Sequence, residues 1–529
     1  MKFRTYLILF ALMCLPLALL ANTDFALIDT DGNYHKMSYY SDYEDILIIV
    51  QDETLFDGNV RLVNDLYPNA KVFLLSPGGK DTDNYGSDYP VLLDPSYEIS
   101  RELGARRYGD VIAFDPKTFE VHARTFGRTD IPIEYPERQL PDYITDVAPI
   151  IIENCQTCHR KGGIAPFAMD SLQVVQGFSP LIKEAILTKQ MPPGQIDPKY
   201  SDVIENHRTL ADEELSTLVA WINNGSQRSY YDTDPLTETV YSTSEWVNGE
   251  PDMIIDVPPQ EIPAGPVNIP YRYVSVDLGL TEDKWLRGSE YLPSDREVMH
   301  HMLNSVVVPG DNSGLLGILG VSGNRQEENN LAGISAYVPG GDPDYYDENT
   351  GALLKAGSVV NLQLHYTPNG KETTDRARIG LYFHEEGKIP EERMAGDCAC
   401  IFTPDWTPIP PNDPNFVQTA EVILKNDINL HTFLPHMHFR GKSMRATAYY
   451  PDGTEEELIN LPRYDYAWQL SYTWNEPKYI PAGTRLFVEG AFDNSSKNPM
   501  NPDPNRLVPW GQMSEDEMFF GAFTWKNAK

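Results

Sequence analysis

The sequence predicts a multidomain chain: an α/β part, a small all-α part and a long all-β part, in that order. Three observations carry this. Short apolar runs alternate with helical stretches over residues 23–138, the rhythm of an α/β sheet. Apolar residues then recur at helical period over 145–225. From about 250 to 529 the chain is rich in Pro and Gly, with short β-prone runs, which suits one or two β-sandwiches.

The α/β part rests on Ile46–Val50 as a buried strand, Val60–Leu66 as a helix, and Val72–Leu75, Val91–Leu93 and Val111–Phe114 as further strands. In the helical part, Leu215, Leu218, Val219 and Ile222 stand at i, i+3, i+4 and i+7 on one face of a helix over 211–222, with Gly225 as its stop. An acidic, Thr- and Ser-rich stretch, 229–250, reads as a linker. In the all-β part, Val359–Tyr366 and Met444–Tyr450 read as strands, the latter followed by a Pro451-Asp452-Gly453 turn.

Composition narrows the partners. The 529 residues carry 42 Lys and Arg against 77 Asp and Glu, a net charge of −35. A surface this acidic argues against nucleic acid and against anionic membranes. Hydrophobic residues at 41% give ample core material. At the N-terminus, Lys2 and Arg4 precede an apolar run, Tyr6–Leu20, broken by Pro16. With Ala21 as a cleavage point, residues 1–21 form a signal-peptide pattern. The expected location is periplasmic or secreted, with no membrane span.

Two sets of residues carry chemistry. Cys155-Gln-Thr-Cys158-His159 is the attachment pattern of c-type haem: two thiols for thioether bonds and an adjacent histidine for the iron. Zinc would need two more ligands, and only His207 is close in sequence. A thioredoxin-type redox pair would need a βαβ context that is missing here. Met191, in Gln190-Met191-Pro192-Pro193-Gly194, is the candidate sixth ligand, since prolines stiffen its loop. The second set is three histidine clusters: His300-His301, His365, and His436-Met437-His438. On a strand His436 and His438 face one side and can chelate one ion. His365 alternates with Leu362 and Leu364 and so falls on a polar face. His300 and His301 can share a face only through a bulge or twist.

Residues 142–225, through CQTCH, KQMPPG and LADEELSTLVAWINNG, resemble a small cytochrome c domain (141–228), which implies one-electron transfer through one covalent haem. VMHHMLNSVVV, LQLHYTPNG, PHMHFRGKSMRATAYY and SEDEMFFG, in that order, resemble the copper type II ascorbate-dependent monooxygenases, the peptidylglycine α-hydroxylating and dopamine β-hydroxylating enzymes. That resemblance implies two jelly-roll-like β-sandwiches, 251–395 and 396–529, facing across a cleft, each with one copper. It implies that His300, His301 and His365 hold the first, electron-transferring copper, and that His436, His438 and Met518 hold the second, catalytic one. Met513 and Met500 are rivals of Met518, which is preferred through its Asp516-Glu517-Met518 context. Residues 22–140 resemble a thioredoxin/peroxiredoxin-like domain, through DYPVLLDPSYEISRELGARRYGDVIAFDP. The reactive cysteine is missing after Val50, and Gly109 stands at the family's cis-proline position. That domain is then a docking or structural module.

The implied function is hydroxylation of a C–H bond of a small organic substrate with O2. Relatives draw electrons from ascorbate; here the haem, a redox donor protein or an ascorbate-like reductant supplies them. Two rivals stand beside it: a non-catalytic electron-transfer protein, and a binding module whose histidines hold a structural metal. Cys398 and Cys400 depart from the family's disulfide pattern. One residue apart, they are close for an unstrained bridge. Free thiols, a strained pair and an extra metal site all stay open.

Overall fold

A computed structural model describes residues 24–528 except 31, 52–66, 80–88, 126–130, 138, 139, 162, 164, 231, 232, 240–244, 266–268, 308–333, 339 and 340. The signal-peptide pattern, the expected helix Val60–Leu66 and most of the stretch after Val50 lie outside the described residues. The chain is mostly β-sheet with few helices, 38% strand and 13% helix. It divides into two compact units, Met1–Gln139 and Leu140–Lys529. Among the described residues no helix is long and apolar enough to cross a membrane.

In the first unit, β1 (Ala26–Ile28) and β2 (Tyr34–Lys36) form an antiparallel pair. A five-stranded sheet follows from β3 (Asp45–Val50), β4 (Ala70–Pro77), β5 (Val91–Asp94), β6 (Val111–Phe114) and β7 (Val121–Thr125), in the order β5-β4-β3-β6-β7. The β3–β4–β5 side is parallel and the β6–β7 side antiparallel. Near-continuous apolar runs suit a sheet covered on both faces: Ile46, Leu47, Ile48 and Ile49 are all buried.

The second unit begins with helices. Asp142 starts the first, its Oδ1 accepting the N–H groups of Ile144 and Thr145 at 2.8 and 3.1 Å, and helix Ala148–Asn154 leads into the Cys155 turn. Helix Leu172–Leu187 packs on helix Asp212–Asn223, which packs on the Tyr143–Val147 turn that precedes Ala148. In helix Asp212–Asn223, Asp212, Glu213 and Glu214 sit in the first turn, where the helix dipole favours negative charge. Its buried face is Leu215, Leu218, Val219 and Trp221, whereas Ile222, expected in the core, is half-buried. Trp221 wins because its Nε1–H reaches the Gln227 carbonyl at 2.9 Å and its ring stacks on Tyr143 at 5.9 Å.

Part of the expected linker folds back. Helix Pro235–Glu238 buries Leu236, and Asp234 accepts from Tyr143 Oη at 2.6 Å and from the Leu172 N–H at 2.7 Å. Asp234→Ala removes both bonds to a charged acceptor, at about 1–3 kcal/mol each. A loss of about 2–4 kcal/mol is expected in urea unfolding of the full chain, with Asp234→Asn losing less.

The rest is sheet. The strands are β8 (Met253–Asp256), β9 (Gln260–Ile262), β10 (Arg272–Asp277), β11 (Lys284–Leu292), β12 (Met299–Val307), β13 (Thr350–Leu354), β14 (Val359–Tyr366), β15 (Thr373–Asp375) and β16 (Arg378–Phe383). They continue with β17 (Glu392–Ile401), β18 (Phe416–Ile423), β19 (Ile428–His436), β20 (Gly441–Tyr449), β21 (Glu455–Leu461), β22 (Tyr472–Ile480), β23 (Arg485–Phe492) and β24 (Phe519–Asn527). One eight-stranded sheet, β22-β19-β24-β17-β13-β11-β16-β8, runs through both halves. A three-stranded sheet, β10-β14-β12, covers one half over a core that includes Leu286, Met302, Leu362 and Ile379. A four-stranded sheet, β18-β23-β20-β21, covers the other over Phe433, Ala446, Val488 and Phe523. The halves join where β13 and β17 pair in parallel, at Thr350–Glu392 and Gly351–Arg393. Lys526 braces this joint with Asp347 at 2.8 Å and Glu392 at 3.0 Å.

The helical segment is built onto the second half. Ile196, Tyr200 and Ile204 enter its core. Ile204 pairs with Trp474 beside β22, Glu205 N–H bonds the Thr473 carbonyl at 2.8 Å, and Asn475 N–H bonds the Val203 carbonyl at 3.0 Å.

Candidate metal centre

The three-stranded sheet sets up the first histidine cluster. His301 and His365 are direct cross-strand partners of β12 and β14. Val360, Leu362 and Leu364 fill the core from the opposite face. Between Met299 and His301 the register slips by one residue, and that residue is His300. The bulge turns His300 onto the face of its neighbour, as the adjacent pair requires. The three ring centroids then lie 4.8–5.4 Å apart, and His365 Nδ1 stands 3.2 Å from His301 Nε2. The polar face expected for His365 is not solvated. His365 is 3% exposed and Gln363 2%, because the second half covers that face.

The second cluster lies on the opposing surface. Phe433 of β19 and Met437 just after it point into the second core, so His436 and His438 point out of it. His436 Nδ1 donates to Gln469 Oε1 at 2.6 Å, and His438 Nδ1 to the Asp516 carbonyl at 3.3 Å, leaving each Nε2 for another partner. His436 pairs with Phe520 across β19 and β24 and stacks on its ring at 5.4 Å. The pairing ends there; Met518, two residues before Phe520, is buried. Met500 is exposed, and Met513 is half-buried on the loop that caps His438.

Tyrosines fill the space between the clusters. Tyr466, from the second half, lies 5.0 Å from the His300 ring and 6.1 Å from that of His438. Tyr271, from the first, lies 4.4 Å from His365 and 5.6 Å from His301. Both hydroxyls meet Ser514 Oγ, at 2.7 Å from Tyr466 and 3.5 Å from Tyr271. The two clusters thus border one buried region rather than an open cleft.

Sequence reasoning missed Tyr271, Tyr466, Gln469 and Ser514, and underused Glu517 and Arg440. Glu517 is fully buried and accepts the His438 N–H at 2.8 Å and the Arg440 N–H at 2.6 Å, shaping the turn after the His-x-His pair. Burial pushes its carboxyl up to about 8, against the pull of these N–H groups and the Arg440 charge. The Arg440 guanidinium is held by Asn494 Oδ1 at 2.7 Å and the Glu515 carbonyl at 2.8 Å. Their signal was in the quoted runs, PHMHFRG and SEDEMFFG, where only the ligand types were weighed.

Burial keeps the histidines neutral. It lowers His300 and His436 to about 4 and His365 to about 2, and holds His301 and His438 well below their ordinary value. Among the described residues no three His, Cys, Asp or Glu side chains stand in an arrangement that could hold a metal ion. The donor chemistry nonetheless fits one. His300 Nε2, His301 Nδ1 and His438 Nε2 are buried and without a hydrogen-bond partner in the structure. Each such group costs about 1–3 kcal/mol if left unsatisfied.

At the helical site, Cys155 and Cys158 are unbridged and half-buried, on the turn after helix Ala148–Asn154. Burial and the neighbouring Cys158 push the Cys155 thiol up to about 12. His159 is buried, and its Nδ1 meets the Phe167 carbonyl at 3.0 Å, leaving Nε2 for another partner. Phe167 stacks on Phe178 at 4.0 Å. Met191 is half-buried on a loop tied to the Ala185 carbonyl at 3.2 Å. His207 bonds Thr209 Oγ1 at 2.6 Å.

This helical site touches both halves of the sheet region. Gln195 Nε2 donates to the Asp465 and Trp468 carbonyls at 3.1 and 2.7 Å, on the loop that carries Tyr466 and Gln469. Arg208 lies 3.9 Å from Cys158 Sγ and 3.6 Å from Asp342.

No family model matches the chain, and no curated protein matches it. Among solved structures, the pneumococcal exposed lipoprotein thioredoxin of Streptococcus pneumoniae strain TIGR4 is 19% identical over 20% of this chain and 91% of its own, with a TM-score of 0.17. A hypothetical protein from Sinorhizobium meliloti 1021 is 16% identical over 22% of this chain and 74% of its own, also at 0.17. The infectious bursal disease virus VP2 subviral particle is 11% identical over 54% of this chain and 75% of its own, at 0.14. At such scores these likenesses carry no argument about fold or function.

Proposed function

We propose that the chain is an exported haem- and copper-containing monooxygenase. It hydroxylates a C–H bond of a small organic substrate with O2, and electrons reach the copper region through the haem. In this reading residues 22–140 are a thioredoxin-like module without active-site cysteines, and 141–228 are a cytochrome c-like domain. Residues 251–395 and 396–529 are the two copper-binding β-sandwiches. The observation that carries it is the convergence of five histidines, from two sheets, on one buried region with ring nitrogens left unsatisfied.

Bound copper would supply one-electron steps and an open position for O2. The residues do the rest. His300, His301 and His365 offer imidazoles that suit both copper oxidation states. His436 and His438, with Nδ1 tied to Gln469 and the Asp516 carbonyl, present Nε2 in a fixed orientation. Met518 adds a soft thioether that favours Cu(I). Tyr271 and Tyr466 keep water from the space between the clusters. A covalent haem would take its thioether bonds from Cys155 and Cys158 and iron ligands from His159 and Met191, and would supply one-electron transfer. The contacts of Gln195 and Arg208 support a short path from this domain to the histidines.

Metal analysis is expected to give one iron and two coppers per chain. Stopped-flow oxidation by O2 of the prereduced protein should show haem reoxidation at least about tenfold faster in copper-loaded than in copper-free samples, a difference of roughly 1.4 kcal/mol in barrier. Equal rates would sink the relay. O2 uptake indifferent to every added substrate would turn the reading to an electron carrier.

A further inference from the structure

Cys398 and Cys400 are bridged across the single residue Ala399, with their Cα atoms 5.2 Å apart. A bridge stabilises a fold mainly by closing a long loop in the unfolded chain, and this one closes almost none. The strand does not need it either. β17 is paired with β24 without a break from Met394 to Ile401. The pair is therefore poorly suited to a structural role, and its surroundings point to another.

Ala399 is fully buried in the second core, so the two sulfurs lie on the opposite face of the eight-stranded sheet. That face is the one that carries the second histidine cluster. Cys400 is directly opposite Phe520 on β24, and Phe520 is directly opposite His436 on β19. Two strand spacings, roughly 10 Å, separate Cys400 from His436, with the Phe520 ring between them. Both cysteines are partly exposed, and Cys400 is among the residues lining an open pocket of about 580 Å³, with Asp405, Thr407, Gln418 and Glu421. From residue 22 onward the sequence has no cysteines besides this pair and Cys155 and Cys158, so a thiol partner must come from outside.

We propose that Cys398 and Cys400 are a reversible two-electron dithiol–disulfide couple, entered at Cys400 by an external dithiol such as a small reducing protein. A thiolate of the reductant attacks Cys400 Sγ, the Sγ–Sγ bond breaks, and Cys398 leaves as a thiolate that takes a proton from water. The second thiol of the reductant then attacks its own sulfur in the mixed disulfide and releases Cys400 as a thiol. Two electrons and two protons pass to the pair, and the reductant becomes a disulfide. Oxidation of the pair returns the same two electrons and two protons.

The test uses the full-length chain in its native state, with dithiothreitol as probe and the Cys398→Ser/Cys400→Ser double variant as blank. After anaerobic reduction and desalting, the native protein should titrate two thiols per chain above the blank, and none above it before reduction. Oxidised glutathione should return the count to the blank. Cys398→Ser should trap glutathione on Cys400, as seen by mass spectrometry. The double variant should keep the wild-type thermal midpoint. Thiols that appear only in denaturant, or a double variant whose midpoint falls by several degrees, would make the bridge structural and overturn the proposal. The count needs neither copper nor O2, so its failure is distinct from failure of the monooxygenase reading.

Discussion

Met518→Leu is expected to lower substrate-dependent O2 uptake by at least about a hundredfold, roughly 2.7 kcal/mol of transition-state stabilisation, while haem reduction is unchanged. Leucine is the informative replacement. Met518 is 3% exposed, and truncation to alanine would open a cavity costing about 2–5 kcal/mol. A Met-to-Leu exchange in a packed site usually costs less than about 1.5 kcal/mol, so the variant loses the sulfur and keeps the shape. The same substitution should remove one sulfur scatterer from the Cu(I) X-ray absorption spectrum. Retention of that scatterer would assign the thioether to Met513, which lies half-buried on the same loop. Full activity with the sulfur gone would remove the thioether from the chemistry.

Acid should destabilise the copper-free protein steeply below pH 6.5. In the unfolded chain each histidine titrates near 6.5. In the folded chain burial holds His300 and His436 near 4, His365 near 2, and His301 and His438 lower than their ordinary value. Above pH 6.5 both states are neutral, and these groups add no pH dependence. Below it the unfolded chain binds protons that the folded chain refuses, so stability falls with pH until the folded values are reached. The slope approaches about 1.4 kcal/mol per pH unit for each histidine, and about 7 for the five as an upper bound. Thermal midpoints of copper-free protein between pH 8 and 4 should therefore reach a plateau near pH 7, after a slight rise from pH 8 as Glu517 takes its proton, and drop below 6.5. Copper should extend the plateau to lower pH, because bound imidazole nitrogens are closed to protons. A flat profile from 6.5 to 4.5 without copper would mean that the histidines are solvated.

The order of α/β, helical and β regions was legible in the sequence because periodicity is local. Ile46–Val50 needs only its unbroken apolar run, and Val359–Tyr366 only its alternation, to be read as a strand. The His-x-His pair was legible for the same reason, since residues two apart on a strand share a face. What was not legible depends on distant partners. Gln469 reaches His436 from 33 residues away, and Glu517 reaches His438 from 79. His365 was given a solvated face because its own strand shows a polar side, and only the packing of the second half shows that side to be covered. Asp234 looked like part of a linker because its bonds to Tyr143 and Leu172 span 91 and 62 residues. Trp221 displaced Ile222 from the core for a reason that a period count ignores, the hydrogen bond of its ring nitrogen.

The run from Val203 to Asn206 along β22 bears on how far the sheet edge is open to another copy. β22 is the outermost strand of the eight-stranded sheet, and an uncovered outer strand offers unpaired N–H and C=O groups to any other copy. The bonds of Val203 and Glu205 to Asn475 and Thr473, with Asn206 Nδ2 on the Ser471 carbonyl at 2.7 Å, occupy part of that rim. A chain cut to the sheet region alone would present Trp474 and these freed backbone groups to solvent, a template for edge-to-edge self-association. The helical segment thus doubles as a guard on the sheet, and the two parts are expected to fold together.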